Sequence, residues 1–229
     1  MSQKENKAGR FKKILLAILL IGPASLLLLV SSRSCEHNFI ELDVMADMPN
    51  YSFEDINGKT FTQETFKDHV VIFTTIQKTC PDSCSMSIWN IDRNLFKYIR
   101  ESQKKMKHVK IVSFVTDGQG NPADNLAEID FLLKDQVVAY DPKIWMLAKG
   151  DARKVYDISR NGAKLLNDEK GHYGGEAYQE LLLLVDKNNK LRMVTKANEE
   201  DEVRKMYQSM ALLEKQYDKE AFAIKHPKK

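Results

Sequence analysis

Cys80 and Cys84 offer the most chemistry in this chain, set in Thr74-Thr-Ile-Gln-Lys-Thr-Cys80-Pro81-Asp82-Ser83-Cys84-Ser-Met-Ser-Ile-Trp-Asn90. An apolar run from His69 to Ile76 leads straight into the pair, and a helical pattern follows at once. Pro81 suits the first helical position, where its missing N–H costs nothing. With the helix starting there, Cys80 sits at its N-terminal edge, and Cys84 lies about one turn further on the same face. Free N–H groups and the helix dipole favour a thiolate over a thiol at Cys80. Two sulfurs so placed can close a disulfide or hold a soft metal ion between them.

The other candidates are weaker. Asp82, between the cysteines, can tune the thiolate, though an acid in a first helical turn ordinarily just complements the dipole. Asp117 either faces the same strand end or caps its own loop. Trp89 and Trp145 read as core residues. His37 lies in a stretch before the domain and His108 at a helix-to-strand junction, neither a promising ligand position. Gly118-Gln-Gly120 lacks the further glycines of a phosphate loop, and no Ser-His-Asp order or carboxylate pair stands out.

The pair needs a strand before it and a helix after it, and the chain supplies both. Val70 to Thr75 is β-branched and apolar throughout, the mark of a strand buried on two faces. Ser85 to Met106 reads as an amphipathic helix, with Ile88, Ile91 or Asp92, Leu95 and Ile99 near one stripe. Tyr51 to Phe61 gives a hairpin around Asn57-Gly58. Val109 to Thr116 is a second buried strand, ending in the turn-rich loop Asp117 to Pro122 and a helix near Ala123 to Lys134. Val137 to Tyr140 reads as a third strand and Lys143 to Ile158 as a helix. Asn161 to Glu176 is a glycine-bearing loop. Glu180 to Val185 and Lys190 to Val194 form a late hairpin, and a helix from Glu199 to about Tyr217 closes the domain. This alternation predicts an α/β fold, a mixed or parallel sheet covered by helices, with its site at strand ends and helix N-termini. A cysteine pair ending the first core strand matches a thioredoxin-like sheet with flanking helices and an N-terminal hairpin.

Bulk properties narrow the function classes. In 229 residues, 35 basic against 32 acidic side chains leave a net charge of +3, too even to indicate nucleic acid. Three cysteines are too few for a disulfide framework, so a local redox or metal site is favoured. Lys4, Lys7, Arg10, Lys12 and Lys13 precede a stretch free of charge from Ile14 to Val30. That pattern reads as one transmembrane helix with the N-terminus in the cytoplasm and the domain on the periplasmic or extracytoplasmic side. Cleavage as a signal, or lipid attachment at Cys35, are the alternatives. The expected layout is a cytoplasmic 1–13, an anchor or signal at 14–30, a linker at 31–50, a domain at 51–219 and a tail at 220–229.

With these residues in view, the chain resembles the Sco/SenC family, membrane-anchored thioredoxin-fold proteins that help load copper into cytochrome c oxidase. The resemblance covers roughly residues 45 to 215 and rests on few motifs. Cys80-Pro-Asp-Ser-Cys84 is similar to the family's Cys-Pro-x-x-Cys-Pro, with Ser85 in place of the second proline. Val112-Ser-Phe-Val-Thr-Asp117 resembles its strand ending in an aspartate-bearing loop, and Leu181 to Asn189 its late hairpin. The resemblance implies copper ligation by Cys80 and Cys84, plus a histidine about eight residues before the hairpin aspartate. Counting back from Asp186 lands on Tyr178; His172, six residues earlier, is the nearest histidine and the candidate third ligand.

Two thiolates suffice for Cu(I), whereas Cu(II) calls for an imidazole as well. Tyr178 is a poor substitute, because a phenol stays protonated near neutral pH. No proline occurs between Pro142 and Pro227, so the chain cannot place the cis-proline that disulfide reductases of the thioredoxin type set against their cysteines. Three readings follow. The first is a membrane-anchored Sco-like copper-binding and thiol-disulfide protein that assists copper-site assembly, its partner the copper-bearing oxidase subunit or another periplasmic thiol or copper protein. The second is a metal-free thiol-disulfide oxidoreductase or peroxidase-like protein, with Cys80 and Cys84 as redox dithiol. The third is a binding protein with a structural disulfide.

Overall fold

The computed structural model describes residues 41–79, 83–117, 119–160, 163–164 and 178–225, with backbone alone at 83, 84, 160 and 163, and scattered residues between 11 and 26. The chain divides into two units, Met1–Ile40 and Glu41–Lys229. In the first, the described residues are helical, and the Ser25 hydroxyl donates to the Gly22 carbonyl at 3.0 Å. Among the described residues no helix is long and apolar enough to cross a membrane. Part of the uncharged stretch 14–30 lies outside them.

Among the described residues of the second unit there are ten strands: β1 Ala46–Asp47, β2 Ser52–Glu54, β3 Thr60–Thr62, β4 Val70–Gln77, β5 Val109–Thr116, β6 Trp145–Ala148, β7 Ser159–Arg160, β8 Ala163–Lys164, β9 Leu181–Val185 and β10 Lys190–Lys196. Six of them form one sheet in the order β1-β10-β9-β4-β5-β6. Strands β4, β5 and β6 are parallel, while β9 lies antiparallel on the other edge of β4. Register runs from Val70 opposite Val109 to Gln77 opposite Thr116.

The β-branched run that marks β4 divides by alternation into two cores, because successive side chains point to opposite faces. Val70, Ile72 and Ile76 enter one core, with Ile111 and Val115 of β5 and Leu182 and Leu184 of β9. Val71 and Phe73 enter the other, with Val112, Phe114, Leu181 and Leu183. The first core is covered by helices. Ile88 and Ile91 come from α1 (Ser83–Ile91), which continues through a π turn, Asp92–Phe96, into α2 (Lys97–Glu101) and α3 (Gln103–Met106). Ile129 and Leu133 come from α4 (Ala127–Gln136). The second core is covered by aromatic residues of the β2–β3 hairpin and by Val155 and Tyr156 of α5 (Arg153–Tyr156). Tyr51 meets Phe73 edge-on at 5.0 Å and Phe53 meets Phe114 at 5.3 Å. The chain closes with α6 (Glu200–Lys225), whose Val203, Met206, Met210 and Leu213 complete the first core.

Four expectations need correction. Val137 to Tyr140 is not a strand: α4 runs to Gln136, and Ala139 then turns through a positive φ of 50°. Lys143 to Ile158 is not a helix. Its apolar residues fall at helical spacing, yet Trp145–Ala148 forms the third parallel strand, largely buried, with Ile111 opposite Trp145. Trp145 is fully buried there, as expected of a core residue, and its indole N–H donates to the Ser113 hydroxyl at 2.7 Å. The helix placed near Ala123 to Lys134 starts only at Ala127, whose N–H bonds to the Asn125 side chain at 2.8 Å. The stretch read as a linker contains β1, which pairs Ala46 with Leu191.

The hairpin loop is also wider than a two-residue turn. Asp55 Oδ1 accepts the N–H groups of Asn57 and Lys59, and Gly58 takes the positive φ of 76°.

The central strand sets the stability. Ile72→Ala should lower the unfolding free energy by about 2–5 kcal/mol in urea, through lost burial and the cavity left behind. Val138→Ala, at a side chain 68% exposed, should stay within about 0.5 kcal/mol of the parent.

Candidate functional site

Strand β4 delivers the chain to its cysteines. Its last hydrogen bond beyond the ladder runs from the Lys78 N–H to the Thr116 carbonyl at 2.8 Å, which fixes where the chain leaves the sheet beside β5. The Lys78 ammonium then pairs with Glu128 at 3.1 Å. Helix α1 picks up at Ser83, so the backbone of Cys84 lies in its first turn. Cys80, Pro81 and Asp82 lie outside the described residues, as do the Cys84 side chain, His172, Cys35 and His37. Among the described residues no group of three His, Cys, Asp or Glu side chains is placed to hold a metal ion.

Two described segments flank that strand end. One is the loop after β5. Asp117 Oδ1 accepts the N–H groups of Gln119 and Asn121, both at 2.8 Å, and Oδ2 accepts the Asn121 side-chain amide at 3.0 Å. Of the two readings of Asp117, the loop cap is the one seen. The Asn121 amide, then the backbone N–H groups of the loop, hold its carboxyl below the ordinary carboxylate range.

The other segment is a 3₁₀ turn, Tyr178–Glu180, that enters β9. The buried Thr75 hydroxyl donates to the Gln179 carbonyl at 2.5 Å, tying this turn to β4 two residues before the strand ends. Tyr178 packs against Tyr156 with ring centroids 5.3 Å apart, and its hydroxyl reaches the Gly120 carbonyl at 3.4 Å. The position that the counting from Asp186 assigns to Tyr178 therefore lies between the aspartate loop and the end of β4. Burial raises the Tyr178 phenol above its usual range, and the nearby Arg153 charge only partly opposes this. Tyr178 is a neutral, half-buried aromatic, which fits the sequence expectation of a phenol that stays protonated.

Gly120 is shaped to this neighbour. Its φ of +81° is one that side chains disfavour, and a Cβ there would stand 2.3 Å from the Tyr178 hydroxyl. Arg153 is held by Asp151, Nε to Oδ1 at 2.8 Å, with Tyr178 and Asp117 near enough to add to its charge stabilisation. Sequence reasoning missed this grouping of Asp151, Arg153 and Tyr156 with Tyr178. All three lie in the segment read as one long helix, and nothing local in the sequence joins them to residue 178.

Trp89 is the other correction. It is 47% exposed on α1 rather than core, with the Arg93 guanidinium 5.0 Å above its ring. The His108 Nε2 lies 2.8 Å from the Glu214 carboxylate, a structural contact that joins the residue before β5 to α6.

Two measurements check these contacts. The Asp117 carboxyl should titrate by NMR with a midpoint below about 3.9, and Asn121→Ala should move it upward. Any stability that this carboxylate lends the loop is then present above about 3.9 and is lost as pH falls through its lowered folded value. Gly120→Ala should cost roughly 1–3 kcal/mol from the positive φ and the clash. In a Tyr178→Phe background the loss should shrink by at least about 0.5 kcal/mol, because the atom struck has been removed.

No protein-family model and no curated protein sequence matches the chain. Solved structures do. A SCO1/SenC family lipoprotein from Bacillus anthracis str. Ames superposes with a TM-score of 0.53 at 18% identity, over 74% of this chain and 95% of that one. A putative protein disulfide isomerase from Bacteroides thetaiotaomicron gives 0.50 at 14% identity, over 76% and 91%. A putative electron transfer protein from Aquifex aeolicus VF5 gives 0.50 at 14% identity, over 75% and 98%. What the chain shares with them is the thioredoxin-like fold.

Proposed function

We propose that this protein is a membrane-anchored, Sco-like copper-binding and thiol-disulfide protein whose dithiol is Cys80 and Cys84. One observation carries the reading: the Cys80-Pro-Asp-Ser-Cys84 segment joins the end of the central parallel strand to the N-terminus of α1. That junction is where such sheets carry chemistry, and a helix N-terminus favours a thiolate over a thiol. The fold shared with the SCO1/SenC family lipoprotein supports the family assignment, and the three-residue spacing agrees with it.

Copper is the cargo, carried as Cu(I), for which two thiolates are a sufficient soft ligand set. Tyr178 stays protonated beside the site and contributes no charge. His172 is the third ligand proposed for Cu(II). The acceptor implied by the resemblance is the copper-bearing subunit of cytochrome c oxidase or another extracytoplasmic thiol or copper protein. The uncharged stretch Ile14 to Val30, after five basic residues, is the anchor in this reading and sets the domain outside the cytoplasm.

The test is a titration of the reduced full chain in lipid nanodiscs with Cu(I), in competition with a Cu(I)-selective chelator. A single Cu(I) per chain should bind, Cys80→Ser and Cys84→Ser should each abolish stoichiometric binding, and Tyr178→Phe should leave it intact. With Cu(II), His172→Ala should change the visible spectrum. A reduced chain that takes up no stoichiometric Cu(I), with Cys80→Ser indistinguishable from the parent, defeats the copper reading and leaves a metal-free dithiol.

A further inference from the structure

At the opposite end of the strands lies a cavity of about 440 Å³ between the β2–β3 hairpin, the start of β5 and the turn that precedes β6. Its size falls within the range of small-molecule sites. Lys110, on its wall, pairs across the ladder with Val71, at the start of β4. At roughly 3.3 Å per residue, some 20 Å of strand separate it from the exit at Lys78. The cavity is therefore independent of the cysteine chemistry.

The walls are flat and apolar. Phe61 and Phe66 stack at 5.9 Å with planes 27° apart, and Tyr140 and Met146 also line the cavity. The charges around these walls are unbalanced. Lys59, Lys110 and Lys143 all line the cavity, together with His69. The Lys59 ammonium stands 4.9 Å over the Phe61 ring. The Lys110 ammonium donates to the Lys143 carbonyl at 2.7 Å and is half-buried. Among the described residues none of the three lysines has a carboxylate within 4.0 Å.

The two carboxylates in the lining are engaged elsewhere. Asp55 accepts the backbone N–H groups of its own turn, and Asp130 pairs with Lys134 at 2.5 Å. Burial also lowers the Lys110 ammonium from its ordinary range, with Asp141 opposing, so this charge lacks full hydration. Cations gathered at a low-dielectric hollow concentrate anions there. Aromatic walls select a flat, apolar body to go with the charge.

We propose that this cavity is a binding site for a small organic anion with a flat apolar body, an aromatic carboxylate being the simplest member of the class. The ring lies against Phe61 and Met146, and the carboxylate takes hydrogen bonds from Lys110 and from Lys59 or Lys143.

Indole-3-carboxylate, with its neutral amide as the control, tests this by calorimetry on the full chain in lipid nanodiscs, empty nanodiscs serving as the blank. The acid should bind saturably with a single site per chain, and the amide at least about tenfold more weakly, as loss of a charge-assisted hydrogen bond requires. Lys59→Gln combined with Lys143→Gln replaces exposed side chains and should weaken the acid by about tenfold with an unchanged circular dichroism spectrum. Lys110→Met should weaken it at least as much; if that variant fails to fold, the double variant decides. No saturation at millimolar acid, equal affinity for acid and amide, or full affinity in the lysine variants overturns the assignment.

Discussion

Strand β4 is hydrogen-bonded on both edges and buried on both faces, and the rest of the domain is arranged around that constraint. A strand in this position has no exposed surface along which to carry chemistry. Even its polar residues are turned to structural use: the Thr75 hydroxyl is committed to the Gln179 carbonyl. The functional groups can be attached only where the strand ends. There the chain leaves the low-dielectric interior and meets the start of a helix, whose first N–H groups have no partner within the helix. The Lys78 to Thr116 bond sets that exit point with respect to β5.

The described neighbours of that exit are already engaged with partners of their own. Asp117 spends both carboxylate oxygens on its own loop, and Tyr178 remains a neutral phenol lodged between Tyr156 and Gly120. The Asp117 carboxylate keeps its charge, but its oxygens are committed to the loop, and Tyr178 adds no charge. The contact between Thr75 and the 3₁₀ turn also couples the approach to β9 to the strand end, so the two flanks keep a fixed spacing.

Elements with a strong, unambiguous period were legible in the sequence. The strand β4, rich in β-branched residues, the similar strand β5, the late hairpin and the stripes of α1 and α6 all fall where their patterns predict. The failures share one cause. Between Val137 and Ile158 the apolar residues satisfy a helical spacing and an alternation of faces equally well, and only the open edge of β5 decides for a strand at Trp145–Ala148. That error hid Asp151, Arg153 and Tyr156, whose place beside Tyr178 depends on how the chain returns after β6. Trp89 was misread for a different reason. A large aromatic next to a buried stripe is ordinarily core, but here the stripe on α1 is narrow enough that Trp89 stands outside it, under Arg93.

The π turn at Asp92–Phe96 has a bearing on the site that packing alone does not suggest. A π turn holds one residue more than an α-helical turn, and each residue of an α-helix advances its face by about 100°. The segment before it, which begins at Ser83, therefore keeps an angular phase of its own with respect to the segment after it. Ile88 and Ile91 are seated against the sheet on one side of this step, and Ile99 on the other. The wide turn thus works as a phase adjuster, uncoupling the direction in which the cysteine-bearing end faces from the direction that the distal half of the helix needs for its own packing.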